Sequence, residues 1–222
     1  MFEKLNYLND EERIEFEKYL RIRSKFLFKQ IYDYLLLENA EKVNYSDLGT
    51  CIRYDKNLRD KLYIYLATFE EYLRAQMYEK YEIKKDFKFG RKRKEEKEEY
   101  IKRIAEHIFE RADRVDIDED NSVLYTKFKL DLGETILLIK ELHMFDDQKY
   151  QELENIRILR NMVMHHNLLI LGKGKSYRNK QVIQAGIVSL SNNLPDGYKQ
   201  NFIKDINDLR CDFKKYKIEI EA

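Results

Sequence analysis

Between Leu159 and Asn167 the chain reads Leu-Arg-Asn-Met-Val-Met-His-His-Asn. An arginine, an amide and two imidazoles thus fall within one short stretch. Arginine is a permanent cation whose planar donor fork matches phosphate geometry. Histidine can take or give a proton near neutral pH, because its unperturbed pKa is about 6.5. Those are the two requirements of RNA backbone cleavage, and neither a metal nor another cofactor is needed to meet them. In that chemistry His165 removes the proton from a ribose 2′-hydroxyl or delivers one to the leaving 5′-oxygen. Arg160 holds the phosphate and stabilises the developing phosphorane. Asn161 orients His165 or the phosphate, and His166 is a second acid–base group or a helix-end residue. The expected products are a 2′,3′-cyclic phosphate and a 5′-hydroxyl, and DNA is spared because it lacks the nucleophile.

The same residues admit a plainer reading. Arg160 could pair with Glu152 or Glu154 near its own helix. His165 and His166 could sit at the helix C-terminus, where cations are favoured. Zinc binding by the two histidines is disfavoured: adjacent side chains diverge on a helix, and no Cys or His stands at complementary spacing. His107 and His143 are isolated and read as surface or partly packed residues.

The motif sits on an apolar-periodic segment, residues 147–170, with Leu153, Ile156, Leu159 and Val163 facing inward. Five residues along an ideal helix rotate the chain by about 140° beyond a full turn, so Arg160 and His165 do not share a face. Asn161 and His165 do, at i and i+4. Either the helix distorts near Met164, or two copies of the motif meet across a two-fold axis and supply both side chains to one phosphate. The second option predicts a homodimer.

The other elements also read as helices. Residues 10–22 and 24–39 are predicted helical, with Asn9 or Asp10 capping the first and Ser24 the second. A long helix is predicted from about Lys56 to Tyr81, striped by Leu58, Leu62, Tyr65, Leu66, Phe69, Leu73 and Met77. Further helices are expected from Glu95 to about Ala112 and from Ser122 to Met144, with an acidic loop, Asp113–Asn121, between them. The apolar segment Val182–Leu190 fits helix or strand, and Pro195 opens a last helix over 195–215. With 1 Pro and 7 Gly in 222 residues, breakers are scarce, which favours long helices. The fold class is all-α, divided into an N-terminal helical extension (1–54) and a helical domain (55–222).

Hydrophobic residues make up 43% and charged residues 37%, the balance of a globular chain with a heavily charged surface. The net charge of +1 means that any attraction for phosphate must come from local clusters. Two are apparent. Lys84–Lys94 holds seven basic residues, Lys84, Lys85, Lys88, Arg91, Lys92, Arg93 and Lys94, against one acidic, Asp86. The second is the glycine-containing stretch with Lys173, Lys175, Arg178 and Lys180. Interleaved Phe87, Phe89 and Tyr177 could stack on bases of single-stranded RNA, though a solvated loop has the same composition. Cys51 and Cys211 form no disulfide framework or metal spacing. With no signal-peptide pattern and no apolar run able to span a bilayer, a cytoplasmic protein without membrane contact is expected.

Arg-Asn-x-x-x-His, here Arg160, Asn161 and His165, resembles the signature of HEPN domains, many of which are metal-independent ribonucleases. Leu159–His166 looks more narrowly like the corresponding segment of the Abi-like family, abortive-infection proteins of the AbiD and AbiF type. Ala67-Thr68-Phe69-Glu70-Glu71-Tyr72-Leu73-Arg74-Ala75 resembles that family's long helix, and Ser191-Asn192-Asn193-Leu194-Pro195 its C-terminal region. The likeness spans roughly residues 55–210. Asn167-Leu168-Leu169-Ile170 departs from it, lacking the arginine and tryptophan often found there. The resemblance implies a HEPN-like bundle and an endoribonuclease toxin of an antiphage or toxin–antitoxin system. It also implies a restraint on that toxin, an RNA or protein antitoxin or a phage-dependent trigger. A non-catalytic RNA-binding or partner-binding module is the alternative. Glu70 either forms a helix-surface pair with Arg74 at i, i+4 or orients Arg160 from the neighbouring helix.

Overall fold

The computed structural model describes residues 1–22, 24–39, 41–83, 87–88, 90–110, 130–170, 180–212 and 217–220. Among them are eight α-helices, and the fold is all-α apart from short strand pairs. Helix α1 spans Asp10–Ile22 and α2 spans Lys25–Asn39. Both starts are where local chemistry puts them: Asn9 Oδ1 accepts from the Glu12 amide at 2.9 Å, and Ser24 Oγ from the Phe26 amide at 3.3 Å. Strand β1 (Leu5–Asn6) pairs in parallel with β2 (Val43–Asn44) and leads the chain into α3.

Helix α3, Tyr45–Lys80, is the spine of the molecule. It begins eleven residues before the start expected at Lys56. The apolar stripe becomes conspicuous only at Leu58, yet Leu48, Cys51, Ile52 and Asp55 are already buried at helical spacing. Residue 55 thus lies inside α3, and α2 packs against the same helix. The core is one continuous cluster running from Leu5 to Ile220.

Helix α4 covers Lys97–Ala105, shorter than expected. The chain after it forms β4 (Ile108–Glu110), which pairs antiparallel with β3 (Tyr81–Ile83) at the end of α3. Helix α5 is Leu132–Glu141. It starts well after Ser122 because Asp131 and Glu134 form a reciprocal capping box: Asp131 Oδ1 accepts from the Glu134 amide at 2.8 Å, and Glu134 Oε2 from the Asp131 amide at 3.0 Å. The expected residues 122–129, and the acidic loop 113–121, lie outside the described residues.

Helix α6, Asp147–Met164, is capped by Asp146, whose side chain accepts from the Lys149 amide at 2.8 Å. It stops six residues before the expected end. Helix α7, Lys180–Asn193, resolves the helix-or-strand ambiguity of 182–190. It lies against α6 at Gly186, where a Cβ would come within 2.7 Å of Leu159 Cβ and 3.1 Å of the Asn155 carbonyl. Only glycine permits that approach. Asn192 and Asn193 donate to Glu152 at 3.1 and 2.7 Å, fixing the far end of α7 on α6. Pro195 then serves as N-cap of α8, Asp196–Asn207, which ends short of the expected 215. Lys61 and the Tyr65 hydroxyl both reach Asp205, at 2.9 and 3.0 Å, and tie α8 to α3.

Candidate functional site

The motif occupies the last turn of α6, where that helix lies against α3. Leu159, Met162 and Val163 are buried and set the helix's rotation, which leaves Arg160 and Asn161 partly exposed and His165 and His166 exposed. Helical bonding persists through His165, whose amide donates to the Asn161 carbonyl at 3.0 Å. The chain turns only at His166, with φ at +52°. The His166 amide bonds the Val163 carbonyl at 3.2 Å and the Asn167 amide bonds the Met162 carbonyl at 3.0 Å. That is a Schellman turn with histidine where glycine is usual. The bend therefore comes one residue too late to swing His165 towards Arg160. Asn161 and His165 keep the i, i+4 relation, and the divergence of about 140° between Arg160 and His165 persists.

Arg160 does not pair with the acidic residues of its own helix. Glu152 is taken by Asn192 and Asn193, and Glu154 by Arg157. Its partner is Glu70 on α3, with Arg160 Nε 3.9 Å from Glu70 Oε2. The other oxygen of Glu70 accepts from Arg74 at 2.7 Å. Glu70 thus pairs along its own helix with Arg74 and faces Arg160 across the helix interface. Arg74 also donates to the Leu130 carbonyl at 2.6 Å, which links this charged cluster to the entry of α5. Arg160 Nε is buried and makes no hydrogen bond, while the side chain as a whole is 30% exposed. A buried N–H without an acceptor is uncommon; Arg160 Nε faces Glu70 through charge, at 3.9 Å, rather than through a hydrogen bond.

After the histidines the chain is clamped to α3. The Leu169 amide donates to Asp55 Oδ1 at 2.7 Å, and Arg59 donates both to Asp55 and, at 2.9 Å, to the Asn167 carbonyl. Leu168, Leu169 and Ile170 are buried. Burial pushes the Asp55 carboxyl up from its ordinary range, against the pull of Arg59 and of the Leu169 and Ile170 amides. Asn167–Ile170 is thus an apolar anchor against α3. Sequence reasoning missed Asp55 and Arg59, and it did not recognise Arg74 as the link to α5. Their i, i+4 spacing on α3 was the available signal.

The basic stretch before α4 is organised by Arg103, which donates to the Lys88 and Gly90 carbonyls at 3.2 and 3.0 Å and to Glu95 at 2.7 and 2.9 Å. Glu95 in turn accepts from the Lys92 amide at 2.7 Å and its carbonyl from Arg91 at 2.6 Å. Arg103 holds the Glu95 carboxyl down at about 2. Lys88, Arg91, Lys92, Arg93 and Lys94 are exposed. Among the described residues, none of Arg91–Lys94 forms an ion pair with α6, so the structure does not join this patch to the histidines. Phe87 is corrected: it is buried, 5.1 Å from the His107 ring and beneath Arg103, and so is not presented for base stacking. Its place in the core is fixed by the His107 ring and by the Arg103 guanidinium, 5.3 Å from its ring centre. His107 Nδ1 donates to the Arg103 carbonyl at 2.9 Å, and His143 is exposed. Lys180 opens α7. Lys84, Lys85, Phe89, Lys173, Lys175, Tyr177 and Arg178 lie outside the described residues.

No group of three potential metal ligands occurs among the described residues, and no described helix is long and apolar enough to cross a membrane. No protein-family model, curated protein or solved structure matches the chain.

Proposed function

We propose that the protein is a metal-independent endoribonuclease that cleaves RNA by 2′-hydroxyl attack, with Arg160 and His165 as its central pair. The observation that carries this reading is the state of Arg160. Its side chain is 30% exposed, faces Glu70 on α3 at 3.9 Å, and precedes two exposed histidines at the end of the same helix. Arg160 supplies charge to the phosphorane and His165 moves the proton. Asn161 is placed beside His165 by their i, i+4 relation. His166, turned away by its positive φ, is the second acid–base group of the site.

Because Arg160 and His165 diverge on the helix, the active form is a homodimer in which each copy completes the other's site. Tyr63 and Ala67 are exposed on α3 on the same strip as Glu70 and Arg74, i, i+4, i+7 and i+11. That strip offers the apolar contact for a second copy. In its cell the enzyme is a cytoplasmic toxin of an abortive-infection or toxin–antitoxin system, a member of the Abi-like branch of HEPN proteins, restrained by an RNA or protein antitoxin. RNA is held by the exposed Lys88 and Arg91–Lys94, together with Lys84, Lys85, Lys173, Lys175, Arg178 and Lys180.

The test is an RNA substrate in which the ribose at a mapped cleavage position is replaced by 2′-deoxyribose. Cleavage there is expected to stop while neighbouring cuts continue, and the cut ends should be 2′,3′-cyclic phosphate and 5′-hydroxyl. Continued cutting at the deoxy position would exclude 2′-hydroxyl attack.

A further inference from the structure

A cavity of about 330 Å³ lies where α1 and α2 meet the first turns of α3. Its size falls in the usual range for small-molecule sites, ~300–1,000 Å³. Its lining is aromatic at Tyr19, Phe28 and Tyr45, and cationic or amidic at Arg53, Lys56 and Asn57, which lie about two to three turns further along α3 than Tyr45. Such a division suits a ligand that has a planar ring at one end and an anion at the other.

The cationic end is poorly compensated. Among the described residues Arg53 has no carboxylate partner; its Nη2 donates only to the Thr50 hydroxyl at 3.2 Å. Gly49 makes room for this pose, since a Cβ there would stand 3.3 Å from Arg53 Nη1. Lys56 pairs with Asp60 at 2.9 Å, but both are about half exposed, so that pair contributes little and can open. At the aromatic end, the Tyr45 hydroxyl is pushed up to about 12 by burial and by its hydrogen bond to Glu15, and Glu12 adds to the shift. Those carboxylates repel an anion from Tyr45 and leave the Arg53 end for it. Asp55 and Arg59 point elsewhere, to the segment after His166. The cavity and the catalytic residues are therefore served by different faces of α3.

From this we infer that the α1–α2–α3 cavity is a binding site for a 5′-mononucleotide, its phosphate on Arg53 and Lys56 and its base on the exposed ring of Tyr19, over a floor to which the buried Phe28 and Tyr45 contribute. The nucleotide is either free or the 5′ end of an RNA strand. The inference is independent of whether the protein cuts RNA.

Calorimetric titration of the full chain with AMP and UMP tests it, with adenosine and inorganic phosphate as separate half-ligands. Mononucleotide binding in the micromolar-to-millimolar range is expected, stronger than either half. Arg53→Gln should weaken it by about tenfold to a hundredfold, the worth of a charge-assisted hydrogen bond, and Tyr19→Ala should weaken it too. Both side chains are exposed enough for the variants to fold, which a thermal melt checks. His165→Ala should bind as wild type does. A 2′-O-methylated RNA 5-mer, with and without a 5′-phosphate, separates the two sources: tighter, Arg53-dependent binding of the phosphorylated strand assigns the site to an RNA end, and a preference for AMP or UMP assigns it to free nucleotide. No mononucleotide binding at millimolar concentration would overturn the inference. So would binding indifferent to Arg53→Gln, or binding lost in His165→Ala.

Discussion

Helices α5 and α6 both run out into a histidine with positive φ, His143 at 50° and His166 at 52°. The hydrogen bonds are the same pair. At α5 the His143 amide reaches the Lys140 carbonyl and the Met144 amide the Ile139 carbonyl; at α6 the equivalents join His166 to Val163 and Asn167 to Met162. What differs is the surroundings. The α5 turn is closed by a neutral residue: the Tyr150 hydroxyl donates to the Ile139 carbonyl at 2.8 Å and accepts from the Phe145 amide at 3.3 Å. The α6 turn is flanked by charge, with Glu70 and Arg160 before it and Asp55 and Arg59 after it. A histidine in a Schellman turn is thus a way of ending a helix in this protein. The chemistry proposed at His165 and His166 rests on the charges arranged around one of the two turns.

The largest expected contrast is in activity. Arg160→Ala and His165→Ala should each lower RNA cleavage by ~10²–10⁴-fold, the usual contribution of positioned acid–base and electrostatic groups. His143→Ala should leave the rate unchanged. Rates compared at saturating RNA, with circular dichroism confirming the fold, decide between them; an equal loss in His143→Ala would mean that the turns matter only for structure.

The anchors differ next. Asp55→Ala breaks a buried ion pair and removes an acceptor from the Leu169 amide, so it should cost ~3–5 kcal/mol in urea unfolding. Tyr150→Phe, which loses only neutral hydrogen bonds, should cost about 1 kcal/mol. Equal costs would show that the charged clamp at α6 is no stronger than the neutral one at α5.

Replacing either turn histidine by glycine relieves the left-handed backbone and should raise stability by about 0.5–1 kcal/mol at both sites. The two variants part company in function: His166→Gly should slow cleavage and His143→Gly should not. If His166→Gly keeps full activity, His166 serves only to end the helix.

The smallest effect concerns the basic patch. The Glu95 carboxyl, held down at about 2 by Arg103, contributes stability that is complete above its ordinary value of 4.5 and is lost as the pH falls through about 2. Arg103→Ala should remove that acid-range dependence and loosen Lys88–Lys94, with hydrogen exchange of the Lys92 amide as the readout. An unchanged acid profile would show that the Arg103–Glu95 contact does not hold the loop.

Local signals in the sequence were strong where a single residue decides an element's edge. Asn9 and Ser24 stand at the helix starts that their chemistry calls for, and Pro195 stands one residue before α8 rather than inside its first turn. The inward stripe of α3 was legible from Leu58 on, but its first turns were not, because Gly49 and the polar residues around it mask burial that only α1 and α2 provide. The motif on α6 was legible as chemistry, whereas its setting was not. Glu70 meets Arg160 through the packing of two helices ninety positions apart in sequence. The Leu169 amide meets Asp55 across a still longer separation, and no local pattern encodes either contact. Phe87 shows the converse limit: aromatic residues interleaved with lysines look alike whether they face RNA or pack into the core.

The most direct measurement is incubation of wild-type and His165→Ala protein with total cellular RNA in the presence of EDTA, followed by mapping of the cut ends. Wild type is expected to cut, leaving 2′,3′-cyclic phosphate and 5′-hydroxyl termini, and His165→Ala to leave the RNA intact. RNA uncut by the wild-type protein yet tightly bound to it would contradict catalysis and identify a binding module; full cutting by His165→Ala would contradict the mechanism.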